Sequence, residues 1–178
     1  MQEILITQQM RDIAIQKTTH LHFDQNRGLS KFGSEKKRTI VGYIGEQMVM
    51  DFLKIETLDD QFNFDLTYQG KRLEVKTISC KFKPYPHYLC TVNSHNLAGI
   101  HKQSADFYIF LRILNDQSKG WILGCIPCAD FFKKGKFVEK GSQVVKGVQF
   151  VKANATVLPI NQLHPMDILK SNSTFMEK

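Results

Sequence analysis

The sequence predicts an α/β (α+β) domain, and three stretches carry that prediction. Val41, Ile44, Met48, Phe52 and Ile55 recur at helical spacing. Phe62, Phe64 and Leu66 alternate with Asn63, Asp65 and Thr67, and Leu73, Val75 and Thr77 repeat that period of two beyond a short turn. DFYIFLRIL, residues 106–114, is a near-continuous apolar run of the kind found in strands buried on both faces. With 178 residues, 42% hydrophobic and 11% aromatic, the chain can bury one sizeable core. The expected organisation is an N-terminal helical arm and linker over 1–35, one domain over 36–170 and a flexible tail over 171–178.

The elements are expected in the following order. A weak first helix occupies about residues 3–17, and QNRGLSKFGS, with its Gly and Ser, marks a loop. The main helix runs from about Thr39 to Ile55, where Gly42 and Gly45 thin one face so that another backbone can approach. Glu46 falls at the edge of its apolar stripe and is expected as a half-buried carboxylate. The strands around Asp65 and Glu74 are joined by residues 68–71, in which Gly70 supplies the positive φ of a tight hairpin. CKFKPYPHYLCTV then reads as a basic loop with two prolines and a third strand near 87–92. Asn93 or Ser94 caps a short helix through about Gln103. The 106–114 strand is followed by GWILGCI as another strand, and Pro127 opens a short helix, PCADFFKK. Residues 135–158 alternate Val and Phe among Gly and Lys and read as irregular β-structure, LPINQLHPMDIL packs back on the body, and SNSTFMEK frays.

Several function classes recede at this point. No apolar run is long enough for a membrane span, and MQEILITQQMRDIAIQ interrupts its apolar residues with Gln, Arg and Asp, so neither a membrane partner nor a signal peptide is expected and the protein is placed in the cytoplasm. Four cysteines are too few for a disulfide scaffold at this length and are expected reduced. The net charge of +7 favours a polyanionic partner such as nucleic acid.

The hairpin carries the chemistry. If Gln69 and Gly70 are its two loop residues, Asp65 lies directly across from Glu74 with Cβ atoms about 4.5–5.5 Å apart, whereas a three-residue loop makes the pairing diagonal. Like charges at that distance destabilise a sheet unless something positive sits between them. Two carboxylates suit Mg²⁺, which prefers hard oxygen ligands and keeps several waters. Lys76 shares the face of Glu74, about 6–7 Å further along the strand, and its ammonium reaches the same place. The competing reading is a solvated hairpin face on which a Lys76–Glu74 surface pair contributes at most about 1 kcal/mol.

Asp65, then Glu74-Val75-Lys76 on the next strand, with Glu46 on the preceding helix, resembles the PD-(D/E)XK nuclease superfamily. Phe64 stands where that family has proline before the aspartate. The order of helix, three strands, helix and strand over residues 39–114 is similar to the family's αβββαβ core, the restriction-endonuclease-like fold, and implies a central mixed sheet flanked by helices. The resemblance further implies a Mg²⁺-dependent DNA nuclease, with Mn²⁺ as a substitute, more in keeping with an endonuclease, leaving 5′-phosphate and 3′-hydroxyl ends. In it Asp65, Glu74 and the Val75 carbonyl hold the ion, Lys76 positions or deprotonates the attacking water, and Glu46 serves a second ion or its water. Cutting both strands of a duplex or branched DNA requires two sites and hence a homodimer. A Holliday-junction resolvase fits the same residues, as do a basic nucleic-acid-binding module without cleavage and an RNA substrate.

Lys36, Lys37 and Arg38 before the Glu46 helix, and Lys81 and Lys83 after the second strand, are candidate DNA contacts flanking the cleft. Lys102 and Gln103 join them on the helix after the third strand, from which some members of the family reach into the site. Tyr85, His87 and Tyr88 either stack on bases or pack as a loop. Cys125 and Cys128 form CIPC; zinc with Cys90, His87 or His95 is one reading, and ordinary buried cysteines, favoured by the apolar surroundings, the other. Iron–sulfur members of the family cluster three cysteines near the C-terminus, and this chain does not.

Overall fold

The computed structural model describes residues 1–19, 29–56, 64–93, 104–145, 149–150 and 153–170, of which 29–34, 144–145 and 149–150 are described through the backbone. The chain begins with β1 (Gln2–Leu5) and α1 (Gln8–Thr19), then the long α2 (Leu29–Leu53). β2 (Leu66–Tyr68) and β3 (Lys71–Cys80) form the hairpin, followed by β4 (Leu89–Asn93), β5 (Phe107–Leu114) and β6 (Lys119–Pro127). α3 (Cys128–Lys134), β7 (Lys136–Val138), β8 (Gln143–Val145), β9 (Gln149–Phe150) and β10 (Ala155–Pro159) complete the regular elements, with 3-10 turns at Ile160–Gln162 and Met166–Leu169.

Five strands build a mixed sheet in the order β1-β6-β5-β3-β2, in which β3 and β5 are parallel and the other neighbours antiparallel. At the start of the parallel pair the Arg72 guanidinium donates twice to Asp106, at 2.7 and 3.2 Å, and its backbone N–H donates to the same carboxylate at 2.8 Å. A three-stranded sheet, β4-β10-β7, and the β8–β9 pair lie apart from it.

The five-stranded sheet separates two apolar clusters. On one face Val41, Ile44 and Met48 of α2, with Met10 and Ala14 of α1, pack on Leu73, Val75, Ile109 and Leu111. On the other, Tyr108, Phe110, Trp121 and Ile126 pack on Phe131 of α3 and on Cys90, Val92 and Leu158 of the small sheet. Ile109 is 0% and Tyr108 1% exposed, so β5 is buried on both faces, as its uninterrupted apolar run requires. α2 approaches β3 most closely at Gly45, where an added Cβ would fall on the Thr77 hydroxyl. Glycine is therefore the residue that lets the helix seat.

Some elements differ from expectation. Residues 2–5, expected to begin the first helix, are a strand: Gln2–Leu5 pairs with Lys119–Ile122, and Trp121 Nε1 and Lys119 Nζ donate to Glu3 at 2.8 and 3.2 Å. The pairing satisfies backbone groups along β6, and the helix starts only where the Thr7 hydroxyl accepts the Met10 N–H at 3.2 Å. The segment expected as a loop is helical from Leu29 onward. One interior Gly costs a helix about 1 kcal/mol, too little to stop one of this length. β4, expected near 87–92 as the third strand beside the hairpin, pairs with β10 in the small sheet. The helix expected through Gln103, with Lys102 and His95, lies outside the described residues, as do Phe62 and Asn63. Among the described residues no helix is long and apolar enough to cross a membrane.

Candidate active site at the hairpin edge

The turn sets the geometry. Gln69 and Gly70 both take positive φ, 49° and 74°, the signature of a two-residue turn whose twist suits the strands it joins. The register that follows pairs Tyr68 with Lys71, Thr67 with Arg72 and Leu66 with Leu73. The paired register stops there; Asp65 comes next, close enough to Glu74 to feel its charge but without the direct cross-strand pairing expected.

At Asp65 the regular ladder ends. Its N–H reaches the Leu73 carbonyl at 3.0 Å, and its Oδ2 accepts the Val75 N–H at 2.7 Å. A side-chain oxygen thus stands where a backbone carbonyl would continue the sheet. Because a strand residue's N–H and C=O face the same edge, the Val75 carbonyl points toward the Asp65 side as well. Glu74 is 5% exposed, and Lys76 Nζ donates to Glu74 Oε1 at 2.6 Å. Glu74 does not belong to a solvated hairpin face.

Burial first, and then the Glu74 charge, push the Asp65 carboxyl up to about 6, against the pull of the Val75 N–H, Lys76 and Lys17 in the opposite direction. Tyr108, beside Glu74 in the parallel register, is raised by burial and by the Cys128 and Glu74 charges.

α1 and α2 complete the surroundings. Glu46, with its side chain 14% exposed, places Oε2 4.0 Å from Lys17 Nζ, which also lies 4.9 Å from the centre of the Tyr43 ring. Since Lys17 acts electrostatically on Asp65 too, it links the α2 carboxylate to the hairpin pair. Lys17 was not anticipated in the sequence. The signal is its position three residues after Ala14 and one before Thr18, on the buried side of α1, where a lysine is kept by carboxylates.

The other candidates are placed less centrally. Lys37 and Arg38 are exposed and Lys36 is partly buried, on α2 about 12–15 Å before Glu46 by the helical rise. Lys81 and Lys83 are exposed just past β3. Lys134 and Lys136 line a cleft of about 600 Å³ beside the small sheet, with no hairpin residue in its wall. Cys125 belongs to the helical-side cluster and Cys90 to the opposite one, so the sheet keeps them from a common ion. All four cysteines are unbridged, and burial pushes the thiols of Cys90, Cys125 and Cys128 up to about 12, away from the thiolate that metal ligation needs.

Among the described residues no three His, Cys, Asp or Glu side chains group closely enough to hold an ion together. Asp65 and Glu74 form a two-carboxylate set, the number with which Mg²⁺ is ordinarily held beside waters and phosphate oxygens. The donor chemistry fits: both are hard oxygen ligands, and a cation would relieve the repulsion that raises Asp65.

That repulsion has a sign in stability. Asp65 binds its proton more tightly folded, at about 6, than at its ordinary 3.8, so the stability tied to the proton is fully present below about pH 4 and is lost as pH rises through 6. Asp65→Asn, which keeps an oxygen for the Val75 N–H and cannot ionise, is expected to exceed the parent at pH 8 by on the order of 2 kcal/mol without divalent cations, the gap shrinking toward pH 4. Urea unfolding at pH 4, 6 and 8 in EDTA measures it; a gap independent of pH contradicts the assignment.

No protein-family model, curated protein or solved structure matches the chain.

Proposed function

We propose that the protein is a Mg²⁺-dependent DNA nuclease, cutting phosphodiester bonds at the edge of the β2–β3 hairpin on a fold of the restriction-endonuclease-like type. The observation that carries this reading is that Asp65, at the end of the β2–β3 hairpin, bonds to the Val75 N–H and feels the charge of buried Glu74, with Lys76 held at 2.6 Å from the second carboxylate. A purely structural hairpin gains nothing from two such acids.

Asp65, Glu74 and the Val75 carbonyl would hold the ion. A divalent cation bound there supplies Lewis-acid polarisation of the phosphate and a more acidic water. The Val75 N–H orients the Asp65 carboxylate so that its second oxygen faces the site. Lys76, its Nζ 2.6 Å from Glu74, would offset charge developing on the phosphoryl oxygens and orient or deprotonate the attacking water. Glu46, beside Lys17, would serve a second ion or its water shell. Lys37, Arg38, Lys81 and Lys83 would meet phosphates on either side of the cut. Two such sites in a homodimer would cut both strands.

The test uses supercoiled plasmid, linear duplex and a four-way junction, each with Mg²⁺ or with EDTA. Cleavage in Mg²⁺ that EDTA abolishes is expected, and preference for the junction over the duplex would mark a resolvase. DNA binding without cutting in Mg²⁺ or Mn²⁺ would make the protein a binding module and sink the nuclease. Millimolar Mg²⁺ is also expected to raise the melting temperature of the parent, since a ligand bound only by the folded state stabilises it, and to leave Asp65→Asn almost unmoved.

A further inference from the structure

The chain leaving β3 exposes large apolar rings to water. Phe82 is 73% and Tyr85 57% exposed, and Ile78, two residues beyond Lys76 on the same strand face, is 38% exposed. Grouped exposed rings of this kind can mark an interaction site. Their neighbours are Lys81, Lys83 and His87, also exposed.

The segment is built to hold the rings in place. The Cys80 carbonyl accepts the Asn115 N–H at 3.0 Å and Pro84 is buried, pinning the loop's entry. At its exit the Tyr88 N–H donates to the Tyr85 carbonyl at 3.0 Å, while the Pro86 and Tyr88 carbonyls accept the Asn161 and Ile160 N–H groups, each at 2.9 Å. Tyr85 stacks on His87 with 5.8 Å between centres and 13° between planes, and Tyr88 abuts both edge-on at 5.4 and 5.1 Å. Two prolines limit the backbone further. The Tyr85 ring is therefore held before any partner arrives, which lowers the ordering cost of binding there.

We propose that Phe82 and Tyr85 form a stacking platform for unpaired bases, so that the site acts on DNA with a single-stranded segment next to the scissile phosphate. This deepens the nuclease reading and rests on it. Stacked rings interleaved with lysines satisfy both halves of a single strand: the bases take the ring faces and the phosphates take Lys81 and Lys83. An uninterrupted duplex hides its base faces and leaves these rings without contact. Phe82 lies six residues beyond Lys76, at most about 20 Å away along the strand direction, close enough for one short strand to touch both. Glu3, whose carboxylate feels Lys83, is already bonded to Lys119 and Trp121.

Binding measured in EDTA separates this platform from catalysis. Fluorescence anisotropy with labelled single-stranded DNA, blunt duplex and single-stranded RNA of one sequence is compared for the parent, Phe82→Ala, Tyr85→Ala and Lys76→Ala. Stacking is worth about 1–3 kcal/mol per base, so each ring substitution is expected to weaken single-strand binding roughly 5- to 150-fold and duplex binding less than twofold. 2-Aminopurine in the strand should be quenched by the parent and not by the double ring variant. Both rings are exposed, and circular dichroism confirms that the variants fold. Unchanged single-strand affinity, or equal weakening for duplex, overturns the platform; tighter binding of RNA overturns the choice of DNA. If binding behaves as expected while no substrate is cut in Mg²⁺, the platform stands and the nuclease falls.

Discussion

Lys76→Ala is expected to slow Mg²⁺-dependent DNA cleavage by about 10²- to 10⁴-fold, the range over which a positioned proton-transfer group or electrostatic donor contributes. The ammonium sits 2.6 Å from Glu74 and the Lys76 side chain is only 26% exposed, so water cannot replace it in kind. Single-turnover cleavage of plasmid, followed on gels, measures the loss. Removing Lys76 also leaves a buried carboxylate short of one charged partner, and breaking buried pairs costs about 3–5 kcal/mol. Stability is therefore measured alongside, and Lys76→Gln, which keeps a donor for Glu74 Oε1, is made in parallel. A folded Lys76→Gln protein that binds DNA in EDTA yet cleaves at least about 10²-fold more slowly locates the defect in chemistry. Cleavage at the parental rate by that variant removes Lys76 from the mechanism. Asp65→Ala is expected to lose activity as fully, since it deletes one of the two carboxylates brought near each other at the hairpin.

The second large effect is structural and concerns two glycines three residues apart. Among the described residues nothing lies within 4 Å of a Cβ built on Gly42, whereas one built on Gly45 meets the Thr77 side chain, with Cβ at 3.0 Å, Cγ2 at 3.1 Å and the hydroxyl closer still. Alanine is preferred to glycine in a helix by about 1 kcal/mol, so Gly42→Ala is expected to gain up to that amount. At Gly45 the same gain is outweighed. Thr77 is β-branched and lies on a strand paired along its length with β5, so neither its side chain nor its backbone can withdraw. Overpacking of this kind costs about 1–3 kcal/mol, and more where the backbone must shift. Gly45→Ala is expected to lower the melting temperature by roughly 5–10 °C and Gly42→Ala to raise it slightly, as scanning calorimetry would show.

Among the described residues the buried Thr77 hydroxyl has no hydrogen-bond partner, so Thr77→Ala is expected to cost little and to absorb much of the Gly45→Ala penalty in a double-mutant cycle. Independent costs would mean that the contact does not set the helix position. Because Glu46 follows Gly45, a displaced α2 also carries its carboxylate away from the hairpin, and activity should fall with stability.

Much of the hairpin was legible because its determinants are local. A Gly at the second turn position and alternation on both sides lead directly to the observed register as far as Leu66 and Leu73, beyond which Asp65 leaves the ladder and bonds to Leu73 and Val75. β5 was readable for a similar reason: a strand covered on both faces has no polar positions to spare. Elements without a strong periodic or turn signal were misplaced. Gln2–Leu5 is too short to show a period, and only β6 makes it a strand. β4 looks like any half-buried strand, and nothing within it says which sheet will receive it.

The amino-acid order alone determined a tight two-residue turn that brings two acids near each other, with a lysine two residues further along, since turn geometry and strand pleat act over a few residues. Tertiary structure decided the rest: that Glu74 is buried, that Asp65 caps the Val75 amide, and that Lys17 and Glu46 come in from two helices. Each of these depends on how closely α1 and α2 settle on the sheet, and that closeness comes from packing between residues distant in the chain, which no local pattern encodes.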